Sequence, residues 1–282
     1  MFKKWTKGIA LCCTAALLGT LAVGCGGGAP AGGEKKPAES QTQASGDYIQ
    51  TIKNRGYLIA GVKNDVPLFG QLKSGADKPE GFEVDIMKEL AKKLFGDESK
   101  VKLEKVESQT RIPMLQNGQI DIVAGTTTIT EDRKKQVDFS DVYFMAGQSL
   151  LVKKGSPIKS VTDLKDKSVS TVRGSTSAKN IREKAPNAKV DEYATYTEAF
   201  QALKLGRSDA MTTDNSILMG FVTDDPNFEL VGGLFTEEPY GFGFQKGHPE
   251  WVKYVNDFIK EMKANGKYDE LYKKWFKQDP PK

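Results

Sequence analysis

From Tyr57 to Phe276, segments that read as strands alternate with segments that read as helices, and this alternation restricts the fold more than any other feature. "YLIAGVK" is a short apolar run with strand composition, whereas "FEVDIMKELAKKLFG" carries its apolar residues at helical spacing and closes at Gly96. "VKLEKV", "IDIVAG", "QSLLVKK" and "SVSTVR" predict further strands. "RIPMLQNG", "TEDRKKQVD" and "SAKNIREKA" predict the helices between them. The second half continues in the same way to two closing helices, "PEWVKYVNDFIKEMKANG" and "KYDELYKKWF". Such an order predicts α/β units on largely parallel sheets. There are more strands than one small sheet needs, so two α/β lobes with a cleft between them fit best. Ligands of open α/β sheets sit beyond the carboxyl ends of the strands, which directs attention to the strand-to-helix loops.

The first 46 residues do not share this pattern. Lys3, Lys4 and Lys7 precede an apolar stretch from Ile9 to Val23 that is short for a membrane span, and "LAVGC" ends it. That reads as a signal peptide over 1–24. The junction resembles the lipobox of bacterial lipoproteins, with Cys25 as the lipidated residue, although Ala22 stands where leucine is usual and ordinary signal-peptidase cleavage is the alternative. "GGGAPAGGEKKPAESQTQASG" then has almost no apolar side chains and predicts a flexible tether, so 25–46 is read as lipidated cysteine plus linker. Cys12 and Cys13 leave with the signal, and with Cys25 acylated no thiol remains for a nucleophile or a metal site. Loss of three lysines takes the formal net charge from +4 to about +1, which removes the main support for nucleic-acid binding.

Three loops share a chemistry. Gly125-Thr126-Thr127-Thr128-Ile129-Thr130 leads to Arg133, "VRGSTSAKN" brings a glycine and three hydroxyls to a helix start, and "AMTTDNSIL" sets Asp214 between a strand and a helix. Hydroxyls at helix starts are ordinary caps, and Thr130 with Glu131 and Asp132 behind it is one. Arginine in a first helical turn opposes the helix dipole, and both Arg133 and Arg111 occupy such positions. Two arginines beside hydroxyl-rich loops predict two anionic groups on one ligand, each gripped by a guanidinium. Asp214 suits a ligand ammonium. Two carboxylates and an ammonium describe an acidic amino acid.

Catalytic readings find little support. The one histidine, His248, is expected on the surface, and no phosphate-loop, dinucleotide, HExxH or G-x-S-x-G motif occurs. Glu83 and Asp85 in "EVD" could form a glycosidase-like pair, but a solvated helix start is the expectation. No metal and no cofactor are expected.

Several segments in order, "GFEVDIMKELAKKL", "RIPMLQNGQIDIVAGTTTITEDRKKQVDFSDVYF", "LLVKKGSPIKSVTDLKDKSV", "GSTS" and "EPYGFGFQKG", resemble the extracellular solute-binding proteins (family 3) that feed polar amino acids to bacterial ABC importers. The resemblance implies the type II periplasmic-binding-protein fold: lobe 1 from 47–147 plus 241–282, lobe 2 from 148–240, and hinge strands near Gly147–Leu150 and Glu238–Phe242. It implies that Arg133, Thr126, Thr128 and Thr176 hold a ligand α-carboxylate and that Asp214 takes the ammonium. Arg111 would read a side-chain carboxylate, with Lys63 and Tyr196 at further pocket positions. Ser108 stands where relatives for neutral or basic ligands often have an aromatic, which argues against a bulky or cationic ligand. The implied protein is a monomeric, lipid-anchored, extracytoplasmic receptor for glutamate, aspartate or glutamine, delivering to a permease and its ATPase. A dehydratase-like enzyme and a sensor or adhesin are the alternatives.

Overall fold

The computed structural model describes residues 47–281, so the signal, Cys25 and tether readings lie outside the described residues. The chain enters through α1 (Tyr48–Arg55) and β1 (Leu58–Val62), followed by a small hairpin of β2 (Asp65–Val66) and β3 (Gly70–Gln71). Next come α2 (Phe82–Phe95), β4 (Val101–Lys105), α3 (Arg111–Gln116), β5 (Ile122–Ala124), the single turn α4 (Glu131–Lys134) and β6 (Asp138–Phe139). After β7 (Phe144–Ala146) the pattern restarts with β8 (Gln148–Lys153), a 3-10 turn, β9 (Ser168–Val172), α5 (Thr176–Lys184) and β10 (Lys189–Tyr193). It continues with α6 (Tyr196–Lys204), β11 (Ala210–Asp214), α7 (Asn215–Asp224) and β12 (Phe228–Val231). Finally β13 (Glu238–Tyr240) and β14 (Gly243–Phe244) precede α8 (Pro249–Ala264) and α9 (Lys267–Phe276).

Two five-stranded sheets result, ordered β4-β1-β5-β14-β6 and β10-β9-β11-β8-β12. In the first, β1 runs parallel to β4 and β5, while β14 returns from far along the chain to pair antiparallel with both β5 and β6. In the second, β9 is parallel to β10 and β11, and β8 is antiparallel to β11 and β12. The antiparallel pair β7–β13 carries both chain crossings between the sheets. Gln148 to Leu150, expected near a hinge strand, open β8 of the second sheet. Gly147 alone separates β7 from β8, so no loop in the sequence marks where the crossing strand ends and the second sheet begins.

Aromatic packing joins the chain's two ends. Phe69, Phe82 and Phe144 each meet Phe276 with ring centroids 5.2 to 5.4 Å apart, and Tyr143 stacks on Phe242 at 4.0 Å. Trp251 in α8 is fully buried and its Nε1 donates to the Asp121 carbonyl at 3.1 Å. The closing helices therefore spend their aromatics on the core, as their spacing predicts.

One expectation fails. Glu83 and Asp85 do not form a solvated helix start: both are buried. Asp85 accepts from Lys274 Nζ at 2.6 Å and Trp275 Nε1 at 2.9 Å, which pins α9 on α2. The first turn of α2 faces the rest of the fold, and no local pattern records that. His248 is partly exposed, with its ring stacked on Tyr48 at 4.2 Å.

Candidate ligand cleft

The loops singled out in the sequence do converge at the carboxyl ends of strands. Lys63 follows β1, the Gly125–Thr130 loop follows β5, Gly174 to Thr176 follow β9, and Asp214 ends β11. The first sheet thus supplies the cations and the second supplies Asp214.

Arg133 is buried, with Nη1 donating to the Thr128 carbonyl at 2.7 Å and Nη2 to the Gly174 carbonyl at 3.1 Å. The second bond crosses from one sheet's half of the chain to the other's. Gly174 has φ +77° there, and a Cβ would stand 2.8 Å from Gln109 Cα, so the close approach requires glycine. The Thr130 cap is real, its hydroxyl accepting the Arg133 N–H at 3.2 Å. The dipole argument for Arg133 is not the operative one, however. With one turn, α4 has little macrodipole, and the cost of the position lies in burial.

Arg111 is 2 % exposed and donates through Nη1 to the Gly125 carbonyl at 2.6 Å and the Thr126 carbonyl at 3.2 Å, while its Nε has no partner. Lys63 is 1 % exposed, donates to Ser108 Oγ at 2.9 Å, and lies 5.2 Å over the Tyr196 ring. Ser108 is therefore a direct partner of Lys63. Among the described residues, none of these three cations has a carboxylate within ion-pair distance; their bonds run to carbonyl and hydroxyl oxygens.

The acidic side is also incomplete. Asp214 Oδ2 accepts the Tyr240 hydroxyl, while Oδ1 is buried without a partner, as are Thr126 Oγ1, Thr213 Oγ1 and Ser216 Oγ. Thr176 is occupied differently from Thr126. Its hydroxyl donates to Glu238 Oε2 at 2.8 Å and accepts from Gln148 Nε2 at 3.0 Å. That leaves its first-turn N–H, one of the donors a helix start leaves free, as the group with spare capacity.

Burial governs the electrostatics. It pushes Lys63 down to about 7, partly opposed by Asp65. It lowers Arg133 to about 9, with Arg111 adding in the same direction. It raises Asp214 to about 7, reinforced by Glu238. Each group thus sits in a site that disfavours its charge when alone.

Sequence reasoning missed the residues behind the loop. Glu83 accepts the Thr126 N–H at 2.7 Å and also the Tyr143 hydroxyl. Buried Gln148 and Glu238 and half-buried Asn180 form a cluster around Thr176. The available signals were the paired carboxylates of "EVD" and the "EPYGFGFQKG" segment that holds Glu238 and Tyr240. A surface groove of about 930 Å³ between Ile129, Val137, Phe139 and Val252 includes none of Lys63, Arg111, Arg133 and Asp214.

Residues 58–278 match the bacterial extracellular solute-binding proteins, family 3. The chain belongs to that family. Its two sheets joined by crossing strands form the family's two-lobed type II fold. This solute-binding protein is 52 % identical over 253 residues to the ABC transporter glutamine-binding protein GlnH of Bacillus subtilis (strain 168), spanning 89 % of this chain and 93 % of that one. It is 51 % identical over 251 residues to the glutamine-binding protein of Geobacillus stearothermophilus, spanning 88 % and 96 %. An ancestral arginine-binding protein bound to glutamine superposes with a TM-score of 0.75 at 44 % identity, covering 79 % of this chain and 99 % of that one.

Proposed function

We propose that this solute-binding protein captures L-glutamine by lobe closure and delivers it to the permease of an ABC importer. The observation that carries the reading is the set of buried, incompletely partnered groups at one cleft: Lys63, Arg111 and Arg133 without carboxylates, and Asp214 with one free oxygen. Buried charges of this kind require partners, and an amino acid supplies both signs. Arg133, the Thr126 and Thr128 hydroxyls and the first-turn N–H of Thr176 receive the α-carboxylate. Asp214 Oδ1 receives the α-ammonium. Arg111, Lys63 and Tyr196 surround the side-chain end. Glutamine relatives at 52 % and 51 % identity support this ligand.

Glutamate is the second reading, favoured by the absence of an acid paired to either Arg111 or Lys63 among the described residues. Lobes of 47–147 plus 241–282 and of 148–240 close about the β7–β13 crossing, and lipidated Cys25 tethers a monomer to the membrane. Binding without chemistry fits this cleft better than a dehydratase reaction, since every assigned group has a binding role.

Titration calorimetry of the purified protein against the twenty amino acids tests the reading. Glutamine and glutamate should bind tightest, with arginine and lysine weaker by at least about tenfold, or 1.4 kcal/mol. The ratio of glutamate to glutamine affinity should fall as pH rises through 7, where Lys63 loses its proton, because Asp214, which titrates in the same range, meets the ammonium of both ligands alike. Arginine binding as tightly as glutamine overturns the assignment.

A further inference from the structure

Apart from the cleft itself, the halves of this protein meet at the β2–β3 hairpin, which belongs to the half that contains the first sheet. Asp65 Oδ2 accepts the Tyr196 N–H at 2.7 Å, at the start of α6. Gln71 Nε2 donates to Asp224 Oδ2 at 3.3 Å, at the end of α7. Between them Pro67 is seated on Gly220, in the middle of α7, so closely that a Cβ on Gly220 would stand 2.6 Å from Pro67 Cβ. None of these contacts uses a group assigned to the ligand's α-carboxylate or ammonium.

Two features make this arrangement specific. Helix α6 already has its own capping box, Thr195 with Glu198, and Tyr196 N–H is a donor which that box leaves over. It is satisfied by a carboxylate 131 positions away. Glycine in mid-helix disfavours α7 relative to alanine, so a glycine there needs another reason, and the approach of Pro67 provides one.

We propose that the β2–β3 hairpin is a closure clasp: Asp65 and Pro67 engage α6 and α7 only when the lobes are shut, and Asp65 positions Tyr196 over Lys63. The two halves are joined by the β7–β13 crossing, so any hinge opening about it separates the hairpin from α6 and α7. Contacts present in one state alone shift the open–closed equilibrium, and ligand affinity changes by the same factor as the closed population. The clasp rests on the closure reading above, and it ties closing to the side-chain end of the cleft.

Gly220→Ala in the full chain is the decisive variant, because its effects on folding and on closure have opposite signs. The ligand-free melting temperature should hold or rise, while affinity falls by about tenfold or more and the ligand-saturated protein stays less compact by small-angle X-ray scattering. Asp65→Ala should weaken binding by roughly five- to thirtyfold, and Asp65→Asn, which keeps an acceptor for Tyr196 N–H, should recover most of it. Each variant is titrated with whichever of the twenty amino acids the unsubstituted protein binds most tightly, so a wrong ligand assignment leaves the clasp test intact. Wild-type affinity and compaction in Gly220→Ala overturn the clasp alone. No amino-acid binding by the unsubstituted protein overturns the clasp and the proposed function together.

Discussion

Glu83 accepts the backbone N–H of Thr126 at 2.7 Å and holds that residue at φ +48°, a left-handed conformation that threonine rarely adopts. The carbonyls on either side of this turn, those of Gly125 and Thr126, are the acceptors of Arg111. A carboxylate with no proposed contact to the ligand therefore sets the geometry of Thr126, which has one.

Glu83→Ala should cost about 3 kcal/mol of stability, because it strands two buried donors, the Thr126 N–H and the Tyr143 hydroxyl. Ligand affinity should fall as well, since the Thr126 turn loses its support. Glu83→Gln keeps an acceptor for both donors and should cost markedly less. Urea denaturation with calorimetry on both variants checks this, and equal losses for the two would contradict the role of the acceptor.

Ligand-free stability should pass through a minimum near neutral pH. Burial raises Glu83 from 4.5 to about 7 and Asp214 from 3.8 to about 7, so the folded chain holds more protons than the unfolded one between those values. Their contribution is present at low pH and is lost as pH rises through 7. Lys63 has the opposite sign. Lowered from 10.5 to about 7, it contributes fully above 10.5, and that stability is lost as pH falls through 7. Each group changes stability by at most about 1.4 kcal/mol per pH unit. Urea midpoints at pH 5, 7 and 9.5 test the dip, and Lys63→Met should remove its high-pH side. Saturating ligand should flatten it, by giving the charged forms partners.

Arg133 and Arg111 should differ when substituted. Arg133 spans the Thr128 and Gly174 carbonyls with two nitrogens, a geometry a single ammonium cannot reproduce. Arg133→Lys should weaken binding of every amino acid by roughly a hundredfold. Arg111→Ala should abolish the preference for glutamine and glutamate over other amino acids while retaining some general affinity. Intact glutamine and glutamate selectivity in Arg111→Ala would remove Arg111 from the side-chain end of the cleft.

The strand–helix alternation was legible because periodicity is local: α2 ends at the glycine its pattern indicates, and β8 to α7 appear in the order read from the chain. The converging loops were legible for a related reason, since they stand at strand ends and carry residues suited to anions. Less was legible where burial decides. One turn of α4 formed where nine residues read as helix, and the charge anomaly at Arg133 proved to be desolvation rather than a helix dipole.

Sequence alone thus determined the class of fold, the loops at the strand ends and the cations they carry. Only the tertiary structure placed β14 between β5 and β6, buried Glu83 behind Thr126, and set Asp65 on the start of α6. Those relationships join residues dozens to more than a hundred positions apart. Their partners are chosen by which surfaces lose water together, and no spacing within a segment encodes that choice.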